Sequence, residues 1–156
     1  NIGALHLNRG EYGEALGRYE QSLRIKEELG NRAGVARSLH QLGMLHQLRG
    51  EFGEALGRYE QSLRIKEELG DRDGIASSQG QIGQLFAETG RYEEAFPLLL
   101  NALAAFLQLQ SPNAGIVANN LRTLRARWGE QAFDAAWRAA TGEDLPEWLQ
   151  ASGDAA

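Results

Sequence analysis

Residues 11–30 read EYGEALGRYEQSLRIKEELG, and residues 51–70 read EFGEALGRYEQSLRIKEELG. The two segments differ only at Tyr12 and Phe52. A self-match at a fixed spacing constrains the fold more than composition can, because it marks an array of like supersecondary units. One such unit cannot bury its apolar face alone and is stable only when stacked on a neighbour. An array of this kind offers an extended surface in place of a closed enzyme pocket. The spacing of forty runs beyond the twin segments: Gly3, Gly43 and Gly83 are in register, as are Gly10, Gly50 and Gly90, and Ala15, Ala55 and Ala95. Asn31-Arg32-Ala33-Gly34 likewise matches Asp71-Arg72-Asp73-Gly74.

Between these marks the apolar residues recur in steps of three and four, the spacing of amphipathic helices. Leu39, Leu42, Leu45 and His46 form one stripe, and Ala55, Tyr59, Ser62, Leu63 and Met44 are placed toward the same seam. No stretch alternates with period two, so no strand is expected. Each unit reads as a helix, a tight turn at Arg49-Gly50 or Thr89-Gly90, and a second helix. Gly30 and Gly70 suit left-handed helix caps. Glu54 precedes Arg58 by four residues, as Glu60 precedes Arg64, a spacing that adds a few tenths of a kcal/mol per pair. Gly13, Gly17, Gly53 and Gly57 each cost about 1 kcal/mol against alanine inside a helix. Their recurrence predicts close helix–helix approach at these sites.

A compact chain of 156 residues buries roughly 68–70% of its unfolded surface, enough for a continuous core. The length fits one domain or a piece of a larger protein. A net charge of −5 argues against nucleic acid, whose phosphates want a basic face. The absence of cysteine excludes disulfides, thiolate nucleophiles and thiolate-bound zinc. The longest apolar stretch, from Phe96 to Leu109, is interrupted by Pro97, Asn101 and Gln108 and falls short of the roughly 20 residues that cross a bilayer. With no signal peptide in view, no membrane association and a cytoplasmic location are expected. The chain opens on Asn1 without an initiator methionine, so an excised fragment or processed product is expected.

The pattern Leu39-x2-Leu42-Gly43-x2-His46, then Gly50, Ala55-x3-Tyr59 and Ser62-Leu63, resembles the tetratricopeptide repeat (TPR). Leu39 stands where the repeat has tryptophan, and His46 where it has tyrosine. A further unit fits with Ile82-Gly83, Phe86, Gly90, Tyr92, Ala95, Ala102 and Leu103, and an incomplete one from Ile2-Gly3 onward. The period of forty exceeds the usual 34 or so, and the usual terminal proline is absent. This long variety is similar to the repeats of kinesin light chains, of LGN-type polarity adaptors and of bacterial multidomain signalling proteins. The resemblance implies an all-α fold: a right-handed TPR solenoid of antiparallel helix pairs with a C-terminal helical cap. Residues 1–30 would be a truncated unit, 31–70 and 71–110 full units, and 111–156 a divergent cap. In that cap, Ala114 to Trp128 reads as a helix with Leu121 and Leu124 inward. Glu130 to Ala140 reads as its partner, presenting Phe133 and Trp137 on one face and ending at Gly142. Residues from Leu145 to Leu149 form a short last turn against that face. The helix before the cap is apolar almost all round from Phe96 to Leu107, as expected of a helix covered on more than one side. Pro97 is placed near its start, where a missing N–H costs least.

Chemistry is scarce. No glycine cluster leads into a Gly-Lys-Ser/Thr phosphate loop. The three imidazoles are His6, His40 and His46. His6 and His46 fall at an aromatic position of the repeat and read as packed side chains. His40 and His46 are six apart and share no helix face, so no metal site is expected. The carboxylates fall on exposed helix turns rather than in the dry concave setting that acid–base work needs. Neither catalysis nor a cofactor is expected. Arg122, Arg125 and Arg127 form a small basic run that reads as exposed cap surface.

The resemblance implies that the first helix of each unit lines an inner groove, with the residue before the packing leucine or isoleucine facing it. Those residues are Asn1, Gln41 and Gln81, all amides. A primary amide carries donor and acceptor together and can pair with an extended backbone. Stacked units lie roughly 10 Å apart, about one helix diameter, and three extended residues span about the same distance. Arg37, His40, Met44 and Gln47 would lie around this ladder on one helix, and Ser77, Gln84 and Glu88 on the next. Gly80 would leave a gap in the wall, and Asn119 and Arg122 would continue the groove. A solvated polar groove accounts for the same amides, and both readings stay open. The lysine and asparagine of chaperone-tail-binding TPRs are replaced here by His40 and Met44, then Gly80 and Gln84, so that ligand is not expected. The expected function is a non-catalytic scaffold that binds a protein or peptide. Self-association through the truncated N-terminal unit, and service as the regulatory arm of a larger signalling protein, are the alternatives. The twin segments would be an outer scaffold layer, leaving specificity to the leading helices.

Overall fold

The structure is a computed structural model that describes residues 9–150; Asn1, Gly3 and His6 lie outside them. The described residues form helices and turns, with no strand. In chain order the helices are α1 (Arg9–Glu28), α2 (Arg32–Leu48), α3 (Phe52–Leu69), α4 (Arg72–Glu88), α5 (Tyr92–Gln108), α6 (Asn113–Trp128), α7 (Glu130–Thr141) and α8 (Glu147–Gln150). The described residues divide into two compact units, with the boundary between Ser78 and Gln79 inside α4.

The turns follow from local chemistry. Gly30, Gly50, Gly70 and Gly90 all take left-handed φ values of 67–80°. After each, the next amide reaches back to the last helical turn, as in Asn31 N–H to Lys26 C=O (2.9 Å) and Asp71 N–H to Lys66 C=O (3.0 Å). This closure satisfies carbonyls that the helix leaves orphaned. The Asn31 side chain accepts the Gly34 amide at 2.9 Å and Asp71 accepts that of Gly74 at 3.0 Å, starting α2 and α4. On the exposed side of α1, Glu14 and Arg18 form the four-residue ion pair that corresponds to Glu54 and Arg58.

In the first unit α2 is packed against both α1 and α3. Leu23, Val35, Ala36, Leu39, Leu42 and Ile65 form its core, with Leu16 and Tyr19 packed alongside. The twin helices use different faces. α1 presents Tyr12, Leu16, Tyr19 and Leu23, whereas α3 presents Ala55, Tyr59, Ser62 and Ile65. Ile65 is accordingly 7% exposed while its counterpart Ile25 is 48% exposed. Met44, expected near the seam, is 43% exposed and points away from it. The second unit centres on Leu99, Leu121, Leu124 and Phe133, all fully buried. The Phe133 ring meets Phe96 edge-on at 5.4 Å, and Trp137 meets Trp148 edge-on at 6.2 Å, which seats α8 and buries Leu149.

Three expectations need correction. Nothing comes near a Cβ built on Gly13, Gly17, Gly53 or Gly57. Close approach occurs instead at Gly43, where a Cβ would stand 2.6 Å from the Tyr59 ring, and at Gly83, 2.9 Å from Leu99. Pro97 is not at a helix start: α5 begins at Tyr92, so the proline removes an interior hydrogen bond. Arg125 is not exposed cap surface. Its side chain is 15% exposed and holds Asp134 at 2.9 Å, tying α6 to α7.

Buried polar groups change in pairs between units. Lys26 Nζ donates to Ser38 Oγ at 3.0 Å, and forty residues on Lys66 donates to Ser78 at 2.9 Å; the next positions are Phe106 and Ala118. Tyr59 donates to Gln47 at 2.6 Å, where the following positions are Leu99 and Ala87. Removing both partners of a buried hydrogen bond can be nearly neutral, whereas removing one strands the other at about 1–3 kcal/mol. Ser78→Ala is therefore expected to lower stability by about that amount in urea titration, and Lys66→Met in the same chain to recover most of the loss. Gly43→Ala should destabilise by about 1–3 kcal/mol through overpacking on Tyr59, while Gly53→Ala should stabilise by up to about 1 kcal/mol.

Candidate peptide-binding groove

One face of α2 carries Ala33, Arg37, His40, Gln41 and Met44, spaced so that they line up along the helix. Together with Lys66 and Leu69 at the end of α3, and Asp71, Asp73, Gly74 and Ser77 at the start of α4, they enclose a cleft of about 440 Å³ within the first unit. Five residues expected on the groove thus come together: Arg37, His40, Gln41, Met44 and Ser77.

The cleft has a graded electrostatic character. Lys66 is only 8% exposed, and burial holds its ammonium below the ordinary lysine range, against the opposing pull of Asp71 and Asp73. The His40 ring lies 5.3 Å from that of Tyr59. Burial first, then the charge of Lys66, pushes its pKa down to about 4, so His40 is neutral at pH 7. Its Nδ1 is buried without a hydrogen-bond partner. Arg37 is exposed and Gln41 half-buried, so a cation and an amide border the opening four residues apart. Met44 and the half-exposed Leu69 supply apolar surface.

The remaining expected residues are placed differently. Gln47 accepts the Tyr59 hydroxyl and serves the packing of α2 on α3. Gln81 and Gln84 are half-buried and Glu88 is exposed on the part of α4 that belongs to the second unit. Gly80 leaves no gap in a wall: it is buried, and a Cβ there would meet Ala102 and Val117 at 3.9 Å. Asn119 is exposed on α6. Arg122 donates through Nε to the Trp148 carbonyl at 2.7 Å, linking α6 to α8. Asn1 lies outside the described residues. Lys66, Leu69, Asp71 and Asp73 were not among the expected groove residues; Lys66 and Leu69 lie on a twin helix, which was assigned to an outer layer. A lysine on the apolar stripe of Ala55, Tyr59 and Ser62 was the signal that α3 reaches the cleft. No group of three or more metal-ligating side chains, and no helix long and apolar enough to cross a membrane, occurs among the described residues.

Because the folded state disfavours the His40 imidazolium, stability is expected to be lost as pH falls from 6.5 toward about 4. The full loss would be about 3 kcal/mol at 1.36 kcal/mol per unit. Chemical denaturation at pH 7 and pH 4.5 should show a smaller acid loss in His40→Gln than in wild type.

Residues 1–68 match the family model described as tetratricopeptide repeat. No curated protein sequence matches the chain. Among solved structures, BtubC (BKLC) from P. vanneervenii is similar with a TM-score of 0.70 and 23% identity, over 88% of this chain and 60% of that one. A proposed kinesin light chain from Podosopora anserina, with nearly identical TPR-like repeats, is similar with a TM-score of 0.68 and 21% identity, over 85% of this chain and 69% of that one. This chain therefore spans less than two thirds of BtubC, and at these identities both likenesses are of fold. A helix pair that returns every forty residues, a family-model match over residues 1–68 and the likeness to these solved structures together give the chain a tetratricopeptide-repeat-like fold.

Proposed function

We propose that this chain is a non-catalytic scaffold that holds an extended peptide of a partner protein in the cleft of the first unit. TPR folds generally mediate protein–protein interaction, and the family's members are generally non-catalytic scaffolds. The observation that carries the finer reading is the convergence of Arg37, His40, Gln41, Met44 and Ser77 on one cleft. The Gln41 amide would pair with peptide backbone, while Met44 and Leu69 would receive an apolar side chain.

A random-peptide display library selected against the full chain supplies the probe. Selected peptides are expected to bind Gln41→Ala and Met44→Ala about 5- to 10-fold more weakly than wild type, the size of one lost hydrogen bond or apolar contact. Thermal midpoints should be unchanged, and Gly57→Arg, on the exposed side of α3, should bind as wild type. Equal affinity for the cleft variants, measured by fluorescence anisotropy, would remove the cleft from the binding site.

A further inference from the structure

The one residue that distinguishes the twin segments sits at a contact. The Tyr12 hydroxyl donates to the Glu51 carboxylate, and His46 Nδ1 lies 2.9 Å from the same oxygen and 3.2 Å from the hydroxyl. The Arg49 guanidinium covers the Tyr12 ring at 4.4 Å. Burial first, and then the bond to Glu51, raise the phenol to about 12, so the hydroxyl keeps its proton at neutral pH. Forty residues on, all three positions change: Tyr12 becomes Phe52, His46 becomes Phe86 and Glu51 becomes Arg91. Arg91 covers the Phe86 ring at 4.2 Å. A tyrosine thus accompanies a histidine and a carboxylate, and a phenylalanine accompanies a phenylalanine and a guanidinium.

We propose that Tyr12, His46 and Glu51 are an address. They direct α1 to this face of α2 and reject α3, whether of the same chain or of a second copy. The need for one follows from the sequence. Nineteen of twenty residues are the same in the two segments, so α3 of another copy presents the whole apolar stripe that α1 uses. Shape and hydrophobicity cannot separate them. Docking α3 in the place of α1 would set Phe52 where Tyr12 stands and forgo the hydroxyl's contacts with Glu51 and His46. Specificity between near-identical partners is a difference of affinities, and here it rests on the hydrogen bonds that only the tyrosine makes. This inference is independent of the peptide-binding cleft.

Tyr12→Phe makes residues 11–30 and 51–70 identical. Full-length wild type and variant are refolded from urea over a concentration series, and dimers are counted by size-exclusion chromatography with light scattering. Tyr12→Phe is expected to raise by roughly tenfold the dimer that forms on refolding but not on mixing folded chains. Tenfold corresponds to about 1.4 kcal/mol. Glu51→Ala removes the same acceptor from the helix edge and should act likewise, which keeps the test informative if Tyr12→Phe fails to fold. Glu51→Gln retains an acceptor and should refold as wild type. Dimer fractions equal to wild type in the folded variants, or dimers that appear equally on mixing folded chains, would overturn the proposal.

Discussion

The first unit depends on a single arrangement: α2 is buried between two helices of nearly one sequence, which meet it through different faces. α1 docks through Tyr12, Leu16, Tyr19 and Leu23, and α3 through Ala55, Tyr59, Ser62 and Ile65. A helix with two apolar stripes can be repeated without limit, because each copy has one stripe for its own partner and one for the next. The close contact of Gly43 with the Tyr59 ring sets how near α3 can come. The bond from Ser62 Oγ to the Ala36 carbonyl, 2.7 Å long and fully buried, fixes where along α2 it sits.

The two units apply this arrangement with different chemistry. The first uses buried polar pairs, Lys66 with Ser78 and Tyr59 with Gln47. At the matching positions the second has Phe106 with Ala118 and Leu99 with Ala87. The changes come in pairs because a buried donor without an acceptor costs far more than an apolar contact of the same shape. The same chemistry gives the first unit its cleft. A buried lysine beside a neutral histidine, with Arg37 and Gln41 at the opening, offers polar contacts that an apolar version could not.

Much of the fold was legible in the sequence, since helix spacing, glycine caps and repeat period are local properties. The positions of Gly30, Gly50, Gly70 and Gly90 alone place the turns. The residues that line the cleft were legible mainly on α2. Arg37, His40, Gln41 and Met44 share one face of α2 by helical geometry, and the cleft collects them together with Ser77. Lys66 and Leu69 were missed because their route to the cleft runs through the seating of α3, a tertiary matter. The contact of Arg122 with the Trp148 carbonyl, 26 residues away, is likewise a tertiary matter.

The sequence by itself determined that the protein is a stack of helix pairs in a register of forty, and where each pair turns. It could not say what identical residues do in different places, because side-chain burial depends on the neighbour and not on the residue. Only the tertiary structure decided that Ile65 is core while Ile25 is surface, and that Gly43 rather than Gly53 is the close contact. The same holds for Tyr12, which reads as an incidental difference from Phe52 until packing brings His46 and Glu51 to its hydroxyl.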